Sequence, residues 1–287
     1  MDTVTTRDGL ALPLRHWPLP AARGQALIVH GLGEHSGRYQ ALARDLNAQG
    51  WAVSGYDQRG HGRAPGPRGV IPLADSLCDD LAQVIDALQA AGQPPAVLLG
   101  HSMGGLVAAR FVAEALQPQP AAWSRPVPRL VLSSPALAAD LGSLQRLQLA
   151  LMHAVAPSLR LPNGLDPAWV SRDPAVVKAY VNDPLVHDRI CARLVRFILD
   201  GGDLVRSLAP RWTTPTLLMW AGIDRCVAPA GSAAFAAAAP AEVLTAREFP
   251  GLYHEIFNEP ERDQVLSCLL HWLARFQTPT TEVKAPP

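Results

Sequence analysis

The chain has no excess of either charge: across 287 residues, 25 basic side chains stand against 25 acidic ones. Such a balance removes the electrostatic case for a nucleic-acid partner. Long hydrophobic runs are missing as well. Arg, Gln or Pro interrupts each apolar stretch well short of the roughly 18 residues a spanning helix requires, so no transmembrane segment is expected. The opening Met1-Asp2-Thr3-Val4-Thr5-Thr6-Arg7 lacks a basic stretch followed by an apolar one, so no signal peptide is expected either. Cysteine is scarce. Cys78, Cys191, Cys226 and Cys268 are scattered without metal or redox spacing and read as free thiols in a reducing cytoplasm. No internal repeat is present. The chain is rich in Ala and Pro, and it is long enough to bury one large core or two modest ones.

Strand and helix patterns alternate through most of the sequence. Thr3–Arg7 and Leu10–Trp17 flank Asp8-Gly9, a hairpin signal. Strand character recurs at Ala26–His30, Ala52–Tyr56, Ala96–Gly100, Arg129–Ser133, Thr216–Trp220 and Val243–Phe249. Helical periodicity lies at Arg38–Ala48, Leu73–Ala91, Ser102–Leu116 and Glu259–Phe276. This predicts an α/β fold, a mostly parallel sheet with helices on both faces. The alternation stops between Pro135 and Arg211. Four segments are therefore expected: a core over 1–134, a helical cap insertion over 135–211 with no clear strand, a second core part over 212–277, and a disordered tail over 278–287. The cap should lie over the carboxyl ends of the strands, where open α/β sheets bind ligands.

One motif points to chemistry. Gly100-His101-Ser102-Met103-Gly104 fits G-x-S-x-G and sits between an apolar strand and a helix. That context turns the chain sharply and lifts the serine hydroxyl above the sheet edge. A serine needs a base, and the base needs an orienting acid. In this setting the chain order is Ser, Asp or Glu, then His. Only His254 and His271, of nine histidines, follow a suitable acid. His271 falls inside the last helix, whereas His254 lies in a loop after the last strand. Asp224 follows Thr216–Trp220 and is the expected acid; Asp200 and Asp203, in the helical insert, are weaker alternatives. Glu255 is adjacent to the base and is poorly placed to reach its far nitrogen. The oxyanion donors are expected to be the backbone N–H groups of Met103 and Leu32. His30 reads as a loop organiser, and Asp57–Arg63 as a turn bracing the oxyanion loop.

Taken together, these pieces resemble the monoglyceride lipases and their bacterial lysophospholipase-like relatives. The resemblance rests on His30-Gly31-Leu32-Gly33-Glu34-His35-Ser36-Gly37-Arg38-Tyr39, Asp57-Gln58-Arg59-Gly60-His61-Gly62, Gly100–Gly105, Ser171-Arg172-Asp173 with Tyr180 and Asp183–Val186, Gly222–Val227 and Tyr253-His254-Glu255. It runs from about residue 3 to residue 276. It implies an α/β-hydrolase with a helical cap, no cofactor, and carboxylic ester hydrolysis by Ser102, Asp224 and His254. Arg63-Ala64 stands where many relatives carry a serine, which touches a supporting loop rather than the triad.

The expected substrate is a monoacylglycerol or similar single-chain ester. Other readings are a general carboxylesterase, a lysophospholipase, an acyltransferase, a proline-type aminopeptidase that holds a free amine on a cap carboxylate, and a non-catalytic ligand-binding scaffold. The cap is very apolar in its first half. Leu144, Leu147, Leu151, Met152 and Val155 are candidates for an acyl-chain wall, and equally for a helix packed on the body. The same face allows transient contact with a membrane surface.

Overall fold

A computed structural model describes residues 2–139 and 142–276. The tail expected beyond residue 278 lies outside the described residues. The first strands are β1 (Thr3–Thr5), β2 (Ala11–Trp17) and β3 (Gly24–Val29). A 3-10 turn at Ser36–Tyr39 leads into α1 (Gln40–Ala48), followed by β4 (Trp51–Tyr56), α2 (Ser76–Ala90), β5 (Pro95–His101), α3 (Ser102–Glu114) and β6 (Leu130–Ser133). The insertion carries α4 (Ser143–Val155), β7 (Arg160–Pro162), α5 (Pro174–Asn182), β8 (Arg189–Cys191) and α6 (Ala192–Leu208). The chain then returns to the body with β9 (Thr216–Ala221), α7 (Pro229–Ala238), β10 (Leu244–Phe249) and α8 (Arg262–Ala274).

Eight strands form one sheet in the order β1-β2-β4-β3-β5-β6-β9-β10. β2 runs antiparallel to β1 and to β4; every pairing from β4 to β10 is parallel. Period-two side-chain alternation divides the core. Leu27, Val29, Leu98, Leu132 and Leu218 face one side, against Leu81, Leu106, Phe111 and Phe235. Ala26, Ile28, Val97, Leu99, Val131 and Leu217 face the other, against Leu42, Leu46, Val265, Leu269 and Trp272. A sheet covered on both faces accounts for the near-continuous apolar runs in its central strands.

The insertion departs from the purely helical expectation. β7 and β8 pair as a two-stranded antiparallel ribbon, and three residues are too few to show alternation in a sequence. Only part of the insertion behaves as a cap. Leu194, Phe197 and Val205 of α6 belong to the body core, and α6 packs on α3. α4 rests on α6.

Candidate active site

The serine sits where β5 becomes α3. Ser102 holds φ at +54°, a left-handed conformation for a non-glycine residue. This strain costs on the order of 1–3 kcal/mol and persists only where the surroundings enforce it. The flanking glycines are required by close approach. A Cβ at Gly100 would lie 2.4 Å from the Gly104 carbonyl oxygen, and one at Gly104 would lie 2.2 Å from that of Val29.

His254 joins this serine to a buried acid. Its Nε2 lies 2.8 Å from Ser102 Oγ, and its Nδ1 lies 2.7 Å from Asp224 Oδ2. The other Asp224 oxygen accepts backbone N–H groups from Cys226 at 2.8 Å and Val227 at 3.1 Å. Both partners are buried, with side chains 7% and 1% exposed. Burial disfavours the charged imidazole, but the Asp224 carboxylate and its hydrogen bond outweigh it, and the pKa of His254 is raised. Burial lifts the Asp224 carboxyl, yet His254 and the two backbone donors bring it below its ordinary value. A hydroxyl, an imidazole and a carboxylate in this order can pass a proton from Oγ to Nε2. Asp200 and Asp203 lie on α6, paired with Arg196 and Arg206. His271 lies exposed on α8.

The loop after β3 presses against the elbow. A Cβ at Gly31 would lie 3.0 Å from Ser102 Cβ. Leu32 is half-buried and lines the cavity beside Ser102, and Met103 is buried in the first turn of α3. His30 organises the loop. Its Nδ1 lies 2.8 Å from the Gly31 carbonyl, and its Nε2 accepts the Gln58 N–H at 3.0 Å. Asp57 accepts the Ser36 N–H and hydroxyl on one oxygen and the Arg63 N–H on the other. The Asp57–Arg63 turn thus braces the loop that follows β3.

A buried charge cluster, whose pairing the sequence does not show, ties this loop to the residue after His254. Glu34 accepts hydrogen bonds from the Gly31 N–H (2.6 Å), the Tyr39 hydroxyl (2.7 Å) and Arg38 (2.8 Å). Arg38 also grips Glu255 with both Nη atoms, at 2.5 and 2.8 Å, and stacks on the Tyr180 ring. Burial would lift Glu34, but Arg38 holds its carboxyl below the ordinary value. His101, beside His254 at 4.8 Å between rings, is pushed down to about 4 by burial and by its neighbour.

The insertion docks directly on these loops. The His187 N–H donates to the Gly33 carbonyl at 2.9 Å, and His35 meets Asp183 at 2.9 Å. A cavity of about 280 Å³ lies between body and insertion and contains Ser102 and His254. Its apolar lining comes from Leu32, Leu165, Val170, Val181 and Val186. Leu144, Leu147, Leu151, Met152 and Val155, the candidates for an acyl-chain wall, do not line this cavity. Leu144, Leu147, Leu151 and Val155 are 66–77% exposed on α4. Helical periodicity identified an apolar face correctly, but it does not specify what that face meets.

Among the described residues, the one cluster with metal-ligand spacing is Asp224, Cys226 and His254, with ligand atoms within 4.8 Å of one another. Asp224 and His254 already bind each other, and burial together with the Asp224 charge keeps the Cys226 thiol protonated. The cluster therefore has the chemistry of a proton relay rather than of a metal cage.

An elbow serine, a buried His–Asp pair and an eight-stranded sheet with an antiparallel second strand define an α/β-hydrolase. The chain belongs to the serine aminopeptidase S33 family, which matches residues 20–261. It is 34% identical to a monoacylglycerol lipase of Mycolicibacterium smegmatis over 256 residues, 88% of each chain. The crystal structure of Paleococcus ferrophilus monoacylglycerol lipase is 36% identical and superposes with a TM-score of 0.80, over 92% of this chain and 98% of that one. An uncharacterized abhydrolase domain-containing protein of Dictyostelium discoideum is 31% identical over 95% of this chain, which spans only 29% of that protein.

Proposed function

We propose that the chain is a serine hydrolase that cleaves carboxylic esters of single-chain lipids, monoacylglycerols foremost, to glycerol and a fatty acid. The observation that carries this reading is the Ser102–His254–Asp224 chain of 2.8 and 2.7 Å contacts opening into a cavity with an apolar wall. Ser102 Oγ attacks the ester carbonyl carbon while His254 Nε2 takes its proton. The Leu32 and Met103 N–H groups receive the developing oxyanion; one such donor supplies roughly 3 kcal/mol of transition-state stabilisation. The C–O bond breaks, and His254 returns the proton to the departing alcohol. Water then adds to the acyl-enzyme by the same route and releases the acid.

The acyl chain starts along Leu32, Leu165, Val170, Val181 and Val186. The cavity of about 280 Å³ is close to the lower end of the roughly 300–1,000 Å³ usual for small-molecule sites. A long chain therefore extends beyond this cavity. No helix among the described residues is long and apolar enough to cross a membrane. Contact with a lipid surface runs through the exposed α4 face of Leu144, Leu147, Leu151 and Val155.

The aminopeptidase alternative needs a free carboxylate in the cavity for the substrate amine. Asp183 is engaged by His35 and Asp188 by Arg189, whereas Asp166 lines the cavity with one oxygen capping the Ala168 N–H and is the carboxylate an amine substrate would use. Steady-state hydrolysis of monoacylglycerols of increasing chain length, beside a prolyl-arylamide, tests the choice. The expected result is Ser102-dependent glycerol release that rises with chain length. Prolyl-arylamide turnover with inert monoacylglycerols would overturn it.

A further inference from the structure

Glu259 lies five residues beyond His254 and outside the Ser–His–Asp chain, yet its side chain is fully buried at 0% exposure. Its carboxylate gathers donors from two separate parts of the molecule. From the insertion, the Arg172 N–H reaches Oε1 at 2.5 Å and Arg172 Nε reaches Oε2 at 2.6 Å. The Ser171 hydroxyl lies 2.8 Å from Oε1 and 2.9 Å from the Asn258 carbonyl, and so divides one proton between them. From the loop bearing the base, the Tyr253 N–H donates to Oε2 at 2.9 Å. A second tie lies on the other side of the histidine: the Glu255 N–H donates to the Val170 carbonyl at 2.8 Å. Both neighbours of His254 are thus bound, directly or through Glu259, to the short segment Val170–Arg172.

We propose that Glu259 is a positioning residue for His254, transmitting the docking of segment 170–172 into the placement of the imidazole over Ser102. The proposal rests on the reading of His254 as the base of Ser102. Both Glu259 oxygens face only donors, so a carboxylate suits the position and an amide does not. Glu259→Gln would turn its NH2 group either toward the Arg172 and Ser171 donors or toward the Tyr253 N–H and Arg172 Nε. Burial raises the Glu259 carboxyl, but Arg172, Tyr253 and Ser171 bring it below its ordinary value, so it stays ionised through the neutral range. The Arg172 side chain is 33% exposed and also pairs with Glu261, so its bond to Glu259 can be removed by substitution without touching the buried Ser171 and Val170.

The test compares Glu259→Gln, Glu259→Asp and Arg172→Ala with the wild-type full chain. Three quantities are read: kcat and KM per folded molecule on a soluble p-nitrophenyl butyrate, the pH profile, and the low-field proton resonance of His254 Nδ1–H without substrate. A misplacement of about 1 Å costs roughly a hundredfold in rate. Glu259→Gln is therefore expected to lose about a hundredfold in kcat, with KM within about twofold and the low-field resonance shifted or broadened. Glu259→Asp should recover part of the loss. Arg172→Ala keeps the Tyr253 bond and should lose about tenfold; it also decides the matter if Glu259→Gln does not fold. Variants of lower stability with unchanged kcat, pH profile and resonance would overturn the proposal and leave Glu259 a purely structural anchor. If the wild type shows no Ser102-dependent turnover, the hydrolase reading fails instead, and the resonance, which needs no substrate, still decides whether Glu259 sets the ring.

Discussion

Asp224→Asn should leave the fold intact and remove nearly all activity, because two backbone donors decide which way the new amide points. One Asp224 oxygen accepts the Cys226 and Val227 N–H groups, and the other meets His254 Nδ1. The substituted amide can keep the first pair only by turning its NH2 toward the imidazole. Turning it the other way strands two buried donors at about 1–3 kcal/mol each, roughly 2–6 kcal/mol together. The NH2 therefore faces His254, which responds by moving its own proton to Nε2. That nitrogen faces Ser102 at 2.8 Å and, once protonated, no longer accepts the hydroxyl proton. The same exchange in a serine protease triad lowers kcat by about 10⁴, or roughly 5.5 kcal/mol of transition-state stabilisation. Initial rates of p-nitrophenyl butyrate hydrolysis, with thermal unfolding recorded beside them, measure both effects. The expected outcome is a rate loss of about 10⁴ with little change in the unfolding midpoint. A rate within tenfold of wild type would refute the tautomer reasoning.

Other perturbations follow from the same geometry. His254 must be neutral to accept a proton, and its pKa is raised above the ordinary imidazole value of 6.5; the acid limb of kcat/KM should therefore have its midpoint above 6.5, and a midpoint well below it would contradict the Asp224 contact. The sign for stability is opposite: His254 contributes stability fully below its unfolded pKa and loses it as pH rises through the folded one, which denaturant titrations across that window should show. Gly104→Ala sets a Cβ 2.2 Å and 2.3 Å from the backbone oxygens of Val29 and His30; it should cost about 3 kcal/mol or more in chemical denaturation, and a wild-type midpoint would show that the elbow has room. Leu147→Ser with Leu151→Ser changes side chains that are 67% and 66% exposed; stability should move by no more than about 0.5 kcal/mol per site. Apparent KM on vesicle-borne monoacylglycerol should rise while short soluble esters are unaffected; parallel losses on both substrates would assign α4 to the cavity instead.

The legible parts of the molecule were those governed by local rules. The elbow needs small residues on both sides of Ser102, and Gly100 and Gly104 announce it because their missing Cβ atoms make room for neighbouring backbone. Chain order limited the acid and base to a few residues, and the structure brings Asp224 and His254 to Ser102. Strand positions followed from apolar runs, since β3, β5, β6 and β9 are covered on both faces. α7 was overlooked: Pro229–Ala238 is largely Ala, and an almost uniform apolar stretch carries little periodicity. Which residues line the cavity is not legible because an amphipathic helix declares a face and not its partner. α4 turns Leu144, Leu147 and Leu151 outward, while Val170, Val181 and Val186, from segments without a strong pattern, line the cavity. The pairing of Glu34 and Glu255 through Arg38, and the burial of Glu259, are not legible in the sequence for a related reason. A buried carboxylate looks like a surface one until its donors, which come from distant segments, are brought to it by the fold.

The central claim is that an ester's acyl group is carried transiently on Ser102. Rapid-quench intact mass spectrometry with p-nitrophenyl butyrate, followed by peptide mapping, tests it most directly. The expected result is a butyryl adduct on the peptide containing Ser102, formed within the first turnover and absent in Ser102→Ala. Steady turnover with no adduct, or an adduct on another residue such as Cys226, would contradict it.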